Sequence, residues 1–182
     1  VYVKDSHKGI IDKETWNAVQ EEFDRREKFM QRHGTDRYSY GSECYPFCEK
    51  IFCGECGSLF TRHSWKSRGI IQWQCKNHRK DGKVACTNAY VDNADLEKGF
   101  VKAFNRLVSE RKKHMERWNA MKADGTPLEK IRAVQMMEAT ENGQLQKYVP
   151  EAAQLVLEEI IIFGAKKYEF AFLEGSRVKV SV

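Results

Sequence analysis

The chain has 182 residues, the length of one medium domain or of a domain with an appendage. With 41% apolar and 31% charged residues it can bury a real core and still keep exposed helices in water. No stretch approaches the ~20 unbroken apolar residues of a membrane span, and the most apolar run, 155–163, is interrupted by Glu158 and Glu159. A membrane protein, a collagen and a secreted disulfide scaffold are set aside. The opening Val1-Tyr2-Val3-Lys4 has no initiator Met, which leads us to expect the middle or end of a longer protein. The net charge of +5 is uneven: residues 49–90 carry +5 and residues 106–122 carry +4, with the rest slightly acidic. Clustered positive charge is the footprint of a polyanion binder, although a solvated lysine-rich face has the same composition.

In chain order, Asp12 is a candidate N-cap for a helix running to about Arg32, with Trp16, Val19 and Phe23 on one face. Residues 34–45 are polar and aperiodic and read as a linker. All six cysteines follow within 43 residues: Cys44, Cys48, Cys53, Cys56, Cys75 and Cys86. Six cysteines allow fifteen disulfide connectivities, but their spacing favours a metal. Cys53-Gly54-Glu55-Cys56-Gly57 is a CxxCG knuckle, and Gly57 supplies the positive φ that such a turn uses. Two strand-like runs, 59–65 and 70–74, flank Lys66-Ser67-Arg68-Gly69, so a hairpin returns Cys75 to the knuckle, and Cys86 completes a set of four. Cys53, Cys56, Cys75 and Cys86 are therefore the predicted ligands of one Zn²⁺. Four thiolates close a tetrahedral site and leave no position for water, so the ion is structural and not catalytic. His63 and His78 are weaker rivals as ligands, and Cys44 and Cys48 read as small apolar residues.

Beyond the ribbon, residues 90–91 suggest a short strand and Asp92 to Asp95 the cap of a long helix. Its stripe of Leu96, Phe100, Ala103, Phe104, Leu107 and Val108 extends to Trp118 and Met121. Asp124-Gly125-Thr126-Pro127 breaks it, and a second helix from Leu128 faces Ile131, Val134 and Met137 inward, with Met136 also available. This forms a short helical hairpin over about 93–147. Pro150 opens a further helix carrying Ala153, Leu155, Val156 and Ile160, and alternating strands at 161–163, 168–172 and 178–180 close the chain in at least one hairpin. The predicted class is α+β: an N-terminal helix, a zinc β-ribbon, a helical hairpin, and a closing helix with a β-hairpin.

Several segments together resemble the C-terminal DNA-binding region of the large serine recombinases. The run 6–16 (Ser6-His7-Lys8-Gly9-Ile10-Ile11-Asp12-Lys13-Glu14-Thr15-Trp16) is similar to the end of their recombinase domain. Tyr45-Pro46-Phe47 through the CxxCG knuckle, with Cys75 and Cys86, is similar to their zinc β-ribbon domain, and 160–180 with Phe170 and the Glu174-Gly175-Ser176 turn to its closing elements. The resemblance implies residues 1–32 as the tail of the recombinase domain, 33–48 as a linker and 49–182 as the ribbon domain. It implies a site-specific recombinase of the integrase or transposase type whose catalytic serine lies in an N-terminal domain outside this sequence. This fragment is then not itself an enzyme. It would bind double-stranded DNA at an attachment or transposon-end site, in the cytoplasm, alongside other recombinase protomers and no membrane. Phage integrases of the family often insert a long coiled coil in the zinc domain, whereas 93–147 has room only for a short hairpin.

A two-stranded ribbon fits the major groove, about 12 Å wide. Arg62, His63, Lys66 and Arg68 are the predicted base-reading residues on or at the tip of the hairpin, and Trp65 meets either sugar or a thymine methyl or packs across the strands. Lys76, Arg79, Lys80 and Lys83 before Cys86 are predicted phosphate contacts, and Arg32, Arg37 and Tyr38 in the linker are family-style candidates for the backbone or minor groove. Trp73 is assigned to the core. The rival function is a zinc-ribbon and helical-hairpin module that docks on another protein.

Overall fold

The computed structural model describes residues 10–38, 45–65, 67, 69–80, 83–88 and 90–182. Helix α1 (Lys13–His33) starts where the Asp12 carboxylate accepts the Thr15 N–H at 2.8 Å and its hydroxyl at 2.7 Å, and ends at Gly34. The apolar face expected to dock is not the one that does: Trp16, Val19 and Phe23 stay about half exposed, and Ala18 and Phe29 are buried instead. Charge turns the helix. Glu22 accepts from Arg25 and Arg26 at 2.8 Å on its own helix and from Arg132 at 3.1 Å. Glu21 accepts the Leu128 N–H at 2.9 Å. These contacts select the 18, 21, 22, 25 and 29 stripe, at helical spacing.

Strands β1 (Ile51–Cys53), β7 (Leu157–Ile162), β8 (Lys167–Phe172) and β9 (Arg177–Ser181) form a sheet of order β1-β7-β8-β9. The β7–β8–β9 meander is antiparallel, and β1 adds to it in parallel, with Ile51 opposite Ile160 and Cys53 opposite Ile162. Helix α5 (Pro150–Val156) therefore stops short of Ile160, which the sequence pattern had put on it. The run Ile160-Ile161-Ile162 is β-branched and goes to the strand. Buried Ile160, Ile162, Phe170 and Phe172 make the floor of the core.

Helix α2 (Asn93–Ser109) follows β6 (Val91–Asp92) and lies across β8 and β9 with Leu96, Phe100, Ala103, Phe104 and Leu107 fully buried, as its stripe predicts. The Phe100 ring sits 6.2 Å from that of Phe170. The long helix expected through Met121 is broken at Glu110, whose N–H bonds to Arg106 and Val108, and α3 (Arg111–Asp124) sets off anew. The break lets Trp118 enter the core and brings Arg117 to the β8–β9 turn, where it donates to the Glu174 carbonyl at 2.6 Å. Helix α4 (Pro127–Ala139) begins with a capping box between Thr126 and Glu129 and folds back on α3. Its buried residues are Ala133 and Met136. Ile131 is exposed, and Val134 and Met137 are half buried; α4 meets α1 through Arg132, which pairs with Glu22. The predicted two-helix hairpin over 93–147 is thus three helices. The α+β class stands, with five helices among the described residues, none of them long and apolar enough to cross a membrane.

Strands β2 (Phe60–Trp65) and β3 (Ile70–Cys75) form the ribbon hairpin, extended by β6 at Gln72 and Trp73. The pair β4 (Arg79–Lys80) and β5 (Lys83–Val84) makes a second, two-residue hairpin.

The docking of α1 is pH-sensitive through Glu22. Burial opposes its charge, but hydrogen bonds from Arg25 and Arg26 hold its carboxyl down at about 2. A carboxyl whose folded pKa is depressed contributes above its unfolded value and loses that contribution as pH falls. Glu22→Gln should cost about 1–3 kcal/mol in urea unfolding at pH 7. It should also remove stability change between pH 4.5 and 2. An unaltered urea midpoint in the variant would show that this cluster does not hold the helix.

Candidate metal centre and nucleic-acid interface

Strand β1 delivers Cys53 to the knuckle as its last residue. The Cys53 N–H donates to the Ser58 carbonyl at 2.8 Å and the Gly57 N–H to the Cys53 carbonyl at 2.9 Å, closing a turn in which Gly57 has φ 73°. The Gly54 N–H donates to the Ile162 carbonyl at 2.8 Å. A Cβ at position 54 would lie 2.9 Å from that oxygen and 2.6 Å from the Phe163 ring, so the knuckle can seat against β7 only with glycine there. The hairpin register sets Cys75 opposite Phe60, which returns it to the knuckle. The Ala85 N–H donates to the His78 carbonyl at 3.1 Å and leads Cys86 in after the β4–β5 excursion.

The four Sγ atoms lie within 4.8 Å of one another, with Cys53–Cys86 at 3.6 Å and Cys56–Cys75 at 3.4 Å. These contacts are far longer than a disulfide, about 2.05 Å, and Cys48, Cys53, Cys56, Cys75 and Cys86 are all free. A tetrahedral cage with Zn–S near 2.3 Å has edges of about 3.8 Å, so the donor set fits a metal ion of that size. Burial and shared sulfur contacts push Cys86 up to about 11 and Cys75 higher still. Cys56 is the exposed member of the set; against some desolvation, hydrogen bonds from Ser58 hold it down at about 7. Clustered sulfurs without a cation thus resist joint ionisation, and a dication removes that penalty. A second layer holds the sulfurs: Asn88 Nδ2 donates to Cys53 Sγ at 3.1 Å, and Glu55 lies 3.5 Å from Cys86 Sγ while accepting the Thr87 hydroxyl at 3.1 Å. His63 and His78 are outside the cluster. The His78 Nδ1 meets the Cys86 carbonyl at 3.0 Å.

On the hairpin, alternation sorts the side chains. Phe60 and Trp73 face inward and are buried. Arg62 shares their side, half buried, with its guanidinium 3.9 Å from the centre of the Tyr45 ring and no hydrogen-bond partner for its Nε among the described residues. The other side is open. It carries Thr61, His63 and Trp65 on β2 opposite Gln74, Gln72 and Ile70 on β3. The Thr61 hydroxyl and His63 Nε2 are 3.1 Å apart, and His63 stacks towards Trp65 with ring centres at 6.1 Å. Gln72 donates to Asp92 at 2.8 Å, which fixes the orientation of its amide.

The remaining candidates divide in two. Lys76 and Lys83 are exposed, and Arg79 and Lys80 form β4. Lys66 and Arg68 lie outside the described residues. Arg32, on α1, lies 3.5 Å from Glu159, Arg37 pairs with Glu49 while staying largely exposed, and the Tyr38 hydroxyl accepts from Arg25 at 2.9 Å. Sequence reasoning missed Gln72, Gln74 and Asn88. The period-two pattern of Ile70-Ile71-Gln72-Trp73-Gln74 already placed both glutamines opposite Trp73, whereas nothing in the sequence marked Asn88.

The chain should hold one divalent metal ion per molecule, measured by elemental analysis after dialysis. Cys56→Ser should lose it and unfold the ribbon, seen as lost β-signal in circular dichroism, because coordination energy is folding energy here. Cys48→Ser, outside the cluster, should keep it. Full metal content in Cys56→Ser would refute the four-sulfur site.

No curated protein and no solved structure matches the chain. Residues 46–105 match the family model described as the recombinase zinc beta ribbon domain, a stretch that contains all four clustered cysteines and both strands of the hairpin.

Proposed function

We propose that this chain is the DNA-binding part of a large serine recombinase, with one structural Zn²⁺ on Cys53, Cys56, Cys75 and Cys86 and with the catalytic serine elsewhere in a longer cytoplasmic protein. In this reading residues 1–32 are the tail of the recombinase domain, 33–48 a connector and 49–182 the ribbon domain, and sister protomers assemble on one recombination site. The family match supports a role in DNA recombination. The observation that carries the reading is the open face of the ribbon, where a hydroxyl, an imidazole, an indole and two carboxamides stand on a two-stranded support anchored from behind by buried Phe60, Trp73 and Cys75.

Such a face has the chemistry of major-groove readout. Carboxamides pair with the adenine edge, and apolar rings meet the thymine methyl. Thr61, His63, Trp65, Gln72 and Gln74 are assigned to bases. Lys76, Arg79, Lys80 and Lys83 are assigned to phosphates, which position without specifying, while Lys66 and Arg68, between the strands, stay assigned to bases. Arg62, stacked on Tyr45, supports the ribbon from behind. The metal would fix the ribbon's base so that ordering costs little on binding. The ribbon supplies no open coordination position and performs no bond-breaking step.

One observation favours a second reading, a module that docks on protein. Val19 and Phe23 of α1 and Ile131 of α4 line one shallow recess beside exposed Trp16. Titration of duplex DNA at two salt concentrations separates the two, because neutralising several phosphates gives a steep log–log slope. Gln72→Ala or His63→Ala should weaken binding to the target site by about 1–3 kcal/mol and leave random duplex unchanged. Lys76→Ala or Lys83→Ala should weaken both alike and lower the salt slope by about 1. Salt-independent or absent binding to every duplex would favour protein docking instead.

A further inference from the structure

Asn88 is 1% exposed, and it spends both protons of its side-chain amide on acceptors from distant parts of the chain. One goes to Cys53 Sγ at 3.1 Å and the other to the Ile162 carbonyl at 2.8 Å. The two acceptors fix the amide orientation, since an inverted carboxamide would set oxygen against both. Its Oδ1 is then buried without a hydrogen-bond partner among the described residues. An orphaned buried oxygen is a cost that folding rarely tolerates. A neutral thiol is a weak acceptor and would not offset it, whereas a thiolate takes a charge-assisted hydrogen bond of about twice the strength. The geometry therefore suits a Cys53 sulfur that serves as a metal ligand. The Ile162 carbonyl has two lone pairs and also accepts the Gly54 N–H at 2.8 Å, so one β7 oxygen holds the knuckle from both sides.

We propose that Asn88 is a positioning residue of the metal centre, which orients the Cys53 sulfur by tying it to the end of β7 and spreads the charge of the tetrathiolate site. The inference rests on the reading of the four cysteines as metal ligands. Outer-shell partners of this kind are worth about 10–100-fold in metal affinity.

The test is competition of the whole chain against a chromophoric chelator for Zn²⁺. Asn88→Ala should bind Zn²⁺ about 10–100-fold more weakly. Asn105→Ala provides the comparison: that amide bonds both backbone groups of Leu145, far from the sulfurs, and its loss should lower stability with Zn²⁺ affinity unchanged. An affinity within twofold of the native chain in Asn88→Ala would overturn the proposal. A native chain that takes up no Zn²⁺ would overturn the ligand reading itself and is told apart by that control alone. Should Asn88→Ala fail to fold, the native chain loaded with ¹¹³Cd and labelled with ¹⁵N answers the same question. A scalar coupling from the cadmium to an Asn88 side-chain amide proton, carried through the N–H···S bond, is expected. Its absence in a fully loaded sample would count equally against the proposal.

Discussion

Four sulfurs drawn from three separate segments must converge within 4.8 Å, and the rest of the ribbon is arranged to let them. Anionic sulfurs repel at that distance, and burial raises the cost of charging them. The chain answers with backbone turns that aim N–H groups at the sulfurs, a glycine where β1 meets β7, and a hairpin whose register is fixed by Phe60 and Trp73 in the core. With its inner face committed in this way, the hairpin's outer face is left rigid and open, and recognition needs both properties.

The sequence was most legible where a short pattern fixes a local geometry. The CxxCG spacing, the hairpin between the cysteine pairs, the α2 stripe and the assignment of Trp73 to the core all depend on neighbours a few residues apart. It was least legible where distant groups choose between local options. The periodicity of α1 points to Trp16, Val19 and Phe23, but Arg132 and the first turn of α4 draw Glu21 and Glu22 and rotate the helix. Strand β1 is three residues long, too short to show a period, and its partner lies more than a hundred positions away. The break at Glu110 has no proline or glycine to announce it. It serves Trp118, which enters the core, and Arg117, whose partners lie at the β8–β9 turn.

Positive charge also has to be read after folding. The basic segment 106–122 could face a polyanion or simply water, and the second reading is favoured; two of its arginines do neither alone, since Arg117 donates to the Glu174 turn and Arg111 to Thr140 and the Met137 carbonyl. Arg25, Arg132 and Arg177 are likewise met by Glu22, Glu158, Glu159 and Glu169. Exposed lysines remain both beside the ribbon, at Lys76 and Lys83, and on α3, at Lys112, Lys113 and Lys122. An even count of lysines and arginines would have hidden this division between internal struts and external contacts.

The parallel pairing of β1 with β7 has a consequence for where the ribbon unit ends. The stretch that matches the zinc ribbon family stops at residue 105, but the strand entering the knuckle finds its ladder partner at Ile160, Ile161 and Ile162. A fragment cut at that boundary would leave Ile51 and Phe52 as a bare apolar edge, open to pairing with any neighbouring copy. The autonomous folding unit is therefore larger than the motif that identifies it, and shortening the chain from its far end would undo the zinc ribbon at its near one.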